Sequence, residues 1–517
     1  MSNEASTAVP HPGEVPHKAV AHQAVPHHGL ITLSLMLATT MQSLDTTIAN
    51  VALPRIQGSL AATQEQMSWV LTSYILAAAI MTPLTGWLAG RFGRKKLFLF
   101  SIAGFTISSV LCGLAQSLPQ IVAFRMLQGL SGAALVPLSQ AILLDINPPE
   151  RHARAMSTWV MGVTIGPILG PALGAWLTDN FSWRWVFYIN VPIGIISFIG
   201  ISSFLAETKL KRSAFDFLGF ATLAIGIAAL QLMLDRGQLK DWFSSTEIWI
   251  YAITSMIAFY LFVVHSATAR EPFINLSMFK DRNFTAGSIF IVVVGILLFA
   301  SLALLPPLLQ DLLDYPVMTA GLLTAPRGIG TLLAMLVIGR LLRMFDARWV
   351  IAAGFAITAI SLWQMCGFYL QMDDSLVGWS SLVQGVGMGL AYVPLATVTF
   401  ATIAPHFRNE ATAVFNLLRN VGSSVGIAAV QAIFIRNTQI MHSRLAEHVT
   451  PYGVAVPPGA SGEQLAMMNA QVTQQATMIA YNNDFKLMLV LSLVAIPLVF
   501  VFRKARPVAG SVQVAAE

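Results

Sequence analysis

Apolar residues run through this chain in blocks of about twenty, joined by short polar segments. A block of that length crosses a bilayer as a helix. Fourteen such blocks are recognisable, at 30–52, 67–89, 97–117, 119–145, 154–178, 185–206, 216–234, 246–267, 283–309, 317–339, 349–371, 376–403, 410–435 and 485–503. The pattern predicts an all-α membrane protein with fourteen spans. Residues 1–29 are polar and repeat a Val-Pro-His triplet at Val9, Val15 and Val25, which reads as a solvated tail or as a metal-binding tract. No cleavable leader is expected. One joint is long. Residues 437–483 leave the membrane on the outer side and carry Pro457, Pro458, Gly459 and a Gln-rich run, either as a docking surface or as a flexible loop.

The chain also repeats itself at an offset of about 256 residues. The segment 86–97 aligns with 339–350, Gln128-Gly129 with Gln384-Gly385, Val136-Pro137-Leu138 with Val393-Pro394-Leu395, and Gly166 and Gly170 with Gly422 and Gly426. Eight spans separate the paired segments, so both copies run in the same direction. Two six-helix halves related in this way are a transporter design, in which the halves rock around a site near the midplane. The expected organisation is a tail (1–29), an N-terminal half (30–206), two inserted spans (216–267), a C-terminal half (283–503) that includes the outer loop, and a second tail (504–517).

Composition sharpens the class. Of 517 residues, 56% are hydrophobic and 10% charged, against about 25% charged in a soluble domain. That excludes a disordered chain, a nucleic-acid module and a disulfide scaffold. Cys112 and Cys366 both lie in apolar runs. The net charge of +6 is spread over short joints rather than one face, so it does not signal nucleic acid. With both termini inside, 20 Lys and Arg fall on the cytoplasmic side and 7 outside, as the positive-inside rule expects. Arg125, Arg327 and Arg419 fall within spans.

An ionisable side chain in hydrocarbon costs about 2.5–3.5 kcal/mol and is usually functional. Span 1 holds one acid, Asp45, with no acid at the matching place in the second half. Arg125 in span 4 lies at a similar depth by helical rise. Two readings stand. Asp45 is a site that takes and releases a proton, with Arg125 coupling it to movement, or the two form a permanent structural pair. Arg327, Arg419 and Gln128 are candidates for the cavity or its gating, or for helix packing.

Span 5 carries Gly162, Gly166, Pro167, Gly170, Pro171 and Gly174. Glycines every fourth residue let another backbone approach, and the prolines bend the helix. This is a kinked seam between the halves or ordinary small-residue packing. The inner joint with Gly86, Gly93, Arg94 and Lys95 permits a tight turn and places cations near helix ends. There is no GxxxxGK[ST] loop for ATP and no His/Cys spacing for a metal within the spans, so no cofactor is expected.

These motifs resemble the fourteen-span drug:proton antiporters of the major facilitator superfamily, within them the EmrB-type pumps and the FarB-type fatty-acid exporters. The resemblance rests on LDTTIANVALP at 44–54, FRMLQGLSGAALVPLSQ at 124–140, GVTIGPILGPALG at 162–174 and WRWVFYINVPIG at 183–194, and it runs over nearly the whole chain. It implies proton-driven export from the bacterial inner membrane, with Asp45 handling the proton or a cationic substrate, Arg125 coupling, and the Gly/Pro seam setting antiport. It also implies a periplasmic adaptor protein and an outer-membrane channel as partners, with 437–483 as the docking candidate. Implied substrates are hydrophobic drugs, uncouplers, bile salts and long-chain fatty acids. Gly90 stands where the family's inner-joint motif usually has an acid, which puts that motif's charge relay in doubt. The alternatives are an uptake symporter of the same fold, a channel, or a membrane-embedded sensor or enzyme.

Overall fold

The computed structural model describes residues 27–148, 151–207, 214–404, 407–448 and 461–503. The N-terminal tail through residue 26, the tail from 504 and residues 449–460 of the long outer joint lie outside them. Fourteen long helical elements follow one another in chain order. They are α1 (His28–Leu60), α2 (Trp69–Phe92), α3 (Arg94–Leu114), α4 (Leu118–Ile146), α5 (His152–Asn180), α6 (Trp185–Phe204) and α7 (Phe217–Lys240). Then come α8 (Thr246–Thr268), α9 (Arg282–Leu312), α10 (Val317–Met344), α11 (Ala347–Met365), α12 (Asp374–Ala401), α13 (Arg408–Ala446) and α14 (Gly462–Val501).

Among the described residues twelve of these are long and apolar enough to cross a membrane, thirteen with the bent α5. The remaining element is α1, which is 33 residues long but studded with polar side chains such as Gln42, Asp45, Thr46 and Asn50. Acidic residues start several helices. Asp216, Asp281 and Asp373 accept from the backbone amides of Gly219, Phe284 and Ser375 at the heads of α7, α9 and α12, relieving donors that a helix start leaves open.

The two halves repeat the same packing. α1 lies on α5 and α9 on α13, and likewise α2 lies on α4 and α10 on α12. The inserted pair α7–α8 packs on itself, with α7 also against α2 and α13. The halves meet along α5–α10, and at the basic end of the bundle where α4 and α2 reach α13.

Two sequence expectations change. The long outer joint is mostly helix. α13 is 39 residues long, about 58 Å at 1.5 Å per residue, against a hydrocarbon core of about 30 Å. α14 begins at Gly462 behind a capping box of Ser461 and Gln464, and His442 meets Asn469 at 3.1 Å between the two extensions. Their polar surface hid them from a hydropathy reading.

The second change concerns span 5. Its glycine face packs on α1 of its own half and does not form the seam between halves. A Cβ on Gly162 would lie 3.0 Å from Met36, one on Gly166 2.7 Å from the backbone nitrogen of Leu44, and one on Gly170 2.1 Å from Thr47 Oγ1. The hydroxyls of Thr40, Ser43 and Thr47 donate to the carbonyls of Gly162, Val163 and Gly166 across this contact. Gly174 is buried further along α5. The other face of α5 meets the C-terminal half, with Ser157 donating to the Met335 carbonyl and Ile168 filling the space at Gly328. α5 bends by 42° between its pieces His152–Gly170 and Leu173–Asn180. Pro171 lies at that break and Pro167 one turn before it, and each removes a backbone donor.

Candidate functional site

α1, α2, α3, α4 and α6 enclose a polar cluster inside the N-terminal half. Asp45 Oδ2 accepts from Arg125 Nη1 at 2.6 Å, and its Oδ1 accepts from Gln128 Nε2 at 2.9 Å and Asn190 Nδ2 at 2.8 Å. Arg125 also donates to Gln128 Oε1 at 2.8 Å and to the Val70 carbonyl at 3.3 Å. The Tyr74 ring lies under its guanidinium, 4.3 Å from the ring centre. Asn190 donates to Ser109 Oγ as well, and Ser109 in turn donates to the Phe187 carbonyl. Cys112 Sγ sits 3.7 Å from Gln128 Oε1.

Asp45 is 1% exposed, and Arg125, Gln128 and Asn190 are wholly buried. A buried carboxylate is tolerated only when its charge is paired and its oxygens are bonded. Three donors from two other helices meet that requirement here, in a site sealed from solvent. Losing the charge on Asp45 would strand Arg125 and loosen the tie between α1, α4 and α6. The sequence reading placed Asp45 and Arg125 together and gave Gln128 only as a candidate for the cavity or its gating, whereas the structure puts Gln128 between them. The sequence reading missed Asn190, Ser109 and Tyr74, although a lone Asn in the apolar run of span 6 was a usable signal.

The other intramembrane cations lie elsewhere. Arg419 on α13 is 3.5 Å from Tyr392 Oη of α12. That hydroxyl also accepts from Gln140 Nε2 of α4 at 3.2 Å, and Gln140 Oε1 accepts from Asn416 Nδ2 of α13 at 2.6 Å. This second network therefore spans the two halves. Arg327 on α10 is 8% exposed, and its Nε and Nη2 have no hydrogen-bond partner among the described residues. The structure does not bring Arg327 to Asp45.

At the basic end, Asp145 at the foot of α4 forms ion pairs with both Arg94 of its own half and Arg408 of the other. Gly86 at the foot of α2 approaches the Glu410 backbone, with 3.3 Å left for a Cβ. Gly93 adopts φ 90° in the turn from α2 to α3, and Lys95 is half-buried on α3. Gly90 brings no acid to this turn, and an acid that engages Arg94 there is Asp145 of α4. The sequence reading missed Asp145 because it stands at the last residue of an apolar run.

Among the described residues no group of His, Cys, Asp and Glu could hold a metal ion.

The profile of the Major Facilitator Superfamily matches residues 35–427. The fatty acid resistance protein FarB of Neisseria gonorrhoeae is 40% identical, over 91% of this chain and 95% of that protein. The multidrug export protein EmrB of Escherichia coli (strain K12) is 38% identical, over 86% of this chain and 87% of that protein. Among solved structures, the human organic anion transporter MFSD10 (TETRAN) aligns over 90% of this chain and all of that one, with TM-score 0.59 and 15% identity. The proton:xylose symporter XylE bound to 6-bromo-6-deoxy-D-glucose aligns over 92% of this chain and 99% of that one, with TM-score 0.57 and 14% identity. At these identities the two structures speak to the fold alone.

Proposed function

This chain belongs to the major facilitator superfamily and is a multi-pass membrane transporter rather than an enzyme, and we propose that it is a proton-coupled antiporter exporting amphipathic toxic compounds. The exported class is lipophilic drugs, uncouplers, bile salts and long-chain fatty acids. The names of the relatives, a fatty acid resistance protein and a multidrug export protein, support the drug and fatty-acid parts of that range.

The observation that carries the reading is the sealed Asp45–Arg125–Gln128–Asn190 cluster. It ties three helices through one titratable charge. A proton arriving on Asp45 cancels the attraction to Arg125 and frees α1 from α4 and α6. Movement of α1 is transmitted to α5, because the glycine face of α5 has no slack against it. α5 is also the helix along which the halves meet. The Asp145 ion pairs and the Gln140–Asn416 bond hold the halves together at the basic end. The conformation described is thus closed toward the side where Lys and Arg accumulate, which on our reading is the cytoplasmic side and the side of both termini. A proton moving inward releases about 2.3 kcal/mol per 100 mV of membrane potential, which suffices to drive exchange of a lipophilic ion.

The projecting ends of α13 and α14 are the surface for a periplasmic adaptor protein, and through it for an outer-membrane channel. Exposed Gln471, Gln474 and Gln475 on α14 suit a polar interface. The test of the function is flux direction in vesicles holding the purified protein. Antiport predicts that a substrate moves against the proton, whereas uptake by symport predicts that both move together. A flux that neither saturates nor couples would indicate a channel instead.

A further inference from the structure

The C-terminal half contains a buried acid that the coupling scheme above does not use. Asp484 on α14 has no exposed surface, and neither carboxylate oxygen has a hydrogen-bond partner among the described residues. The α14 residues flanking it pack mainly on apolar and aromatic side chains. One turn along the same face, Met488 Sδ meets Ser301 Oγ of α9 at 3.7 Å. Phe485 stacks edge-on against Phe368, beyond the end of α11, at 5.8 Å, and Tyr481 packs on Phe434 of α13 at 4.4 Å.

The internal repeat makes the contrast sharper. At the 256-residue offset, Asp45 corresponds to Ser301, Arg125 to Ser381 and Gln128 to Gln384. The equivalent contact is kept in neutral form, with Gln384 Nε2 donating to Ser301 Oγ at 2.9 Å. The second half has thus lost both charges of the pair. Its acid stands instead on α14, the counterpart of α6, the helix that presents Asn190 to Asp45. Among the described residues no counter-ion came with it.

The titratable and charged groups on the surrounding helices do not supply one. Tyr481 is buried on α14 itself, Asp311 at the end of α9 is a like charge, Cys366 follows α11, and Lys486 and the nearest cation of α13, Arg436, are exposed. An ionised carboxylate without a partner in a buried site carries the full cost of desolvating a charge, whereas a neutral carboxyl leaves only hydrogen bonds unmade, which costs far less.

We propose that Asp484 is a second proton-binding site, loaded in the conformation described here and unloaded in the opposite one. The two halves then stand in complementary states. Asp45 is held in the ion pair with Arg125, while Asp484 carries a proton. Rocking that opens the apolar pocket around α14 to water lets Asp484 release that proton. What the proton does in exchange rests on the antiport reading, but its presence on Asp484 does not.

The experiment is infrared spectroscopy of the purified protein in lipid vesicles at neutral pH, paired with counting of protons moved per substrate. Wild type should show a protonated-carboxyl C=O band that Asp484→Asn abolishes, Asp484→Glu shifts and Asp45→Asn retains. Asp484→Asn should also move fewer protons per substrate than wild type. A carbonyl spectrum unchanged by both Asp484 variants overturns the proposal. So does a band that vanishes in Asp484→Asn with the proton count unaltered, since the carboxyl would then be a static neutral residue. The Glu variant keeps the spectral test alive if the Asn variant fails to assemble. If wild type moves no protons with any substrate, the antiport reading falls, and the band still decides whether Asp484 is loaded.

Discussion

Asp45→Asn is the most informative single substitution. Asparagine keeps a side-chain oxygen for the Gln128 and Asn190 amides, so two of the three donors retain a partner. What it removes is the charge opposite Arg125, whose side chain is 1% exposed. Breaking a buried pair from one side costs about 3–5 kcal/mol, because the remaining charge is stranded. Arg125→Gln should cost a similar amount by stranding Asp45. The double variant restores neutrality, so its loss should fall short of the sum of the two single losses by about 1–3 kcal/mol. Unfolding of the four proteins by denaturant titration in mixed micelles measures this. Stability should recover in the double variant while proton-coupled exchange stays lost, since no carboxyl remains between α1, α4 and α6. Strictly additive losses would refute the energetic pairing. A double variant that still couples protons through this site would refute the mechanism.

Three further outcomes follow from the packing and the ion pairs. Gly170→Ala places a methyl 2.1 Å from Thr47 Oγ1 and should cost about 1–3 kcal/mol with transport largely abolished, whereas Gly58→Ala, with nothing within 4 Å, should be silent in the same thermal-shift and flux assays. Asp145→Asn should release Arg94 and Arg408 and favour the form open at the basic end, read as faster alkylation of a cysteine placed at Thr412, which is fully buried here. Asp216 at the head of α7 is pushed up by burial, but the amides of Gly219 and Phe273 and the His265 ring outweigh that and hold it below the ordinary 3.8. Its contribution is therefore complete above about pH 4 and is lost as pH falls through the lowered value. Asp216→Ala should cost about 1 kcal/mol at neutral pH and flatten the acid limb of the stability profile.

The fourteen helices were legible because each needs an apolar run long enough to cross hydrocarbon, and Asp45 stood out as a charge in the middle of one. The two acids that went unread share a location. Asp145 lies at the last residue of its run, and Asp484 immediately precedes the run that starts at 485. Hydropathy segmentation ends a span where a charge occurs, so a charge buried by neighbouring helices near a span's end is assigned to a joint. The polar extensions of α13 and α14 were missed for a related reason, since polar helices that leave the membrane carry no apolar signal. The partner of the glycine face could not be read either. Spacing shows that a backbone approaches, but Met36, Ser43 and Thr47 of α1 identify it only once the chain is folded.

The central claim is that protons entering through Asp45 drive export. Proton release should be followed from acid-loaded vesicles containing wild type or Asp45→Asn, on addition of a lipophilic cation, a lipophilic acid or a long-chain fatty acid. The account predicts saturable, substrate-dependent proton efflux with wild type and none with Asp45→Asn. Equal efflux from both proteins would contradict it.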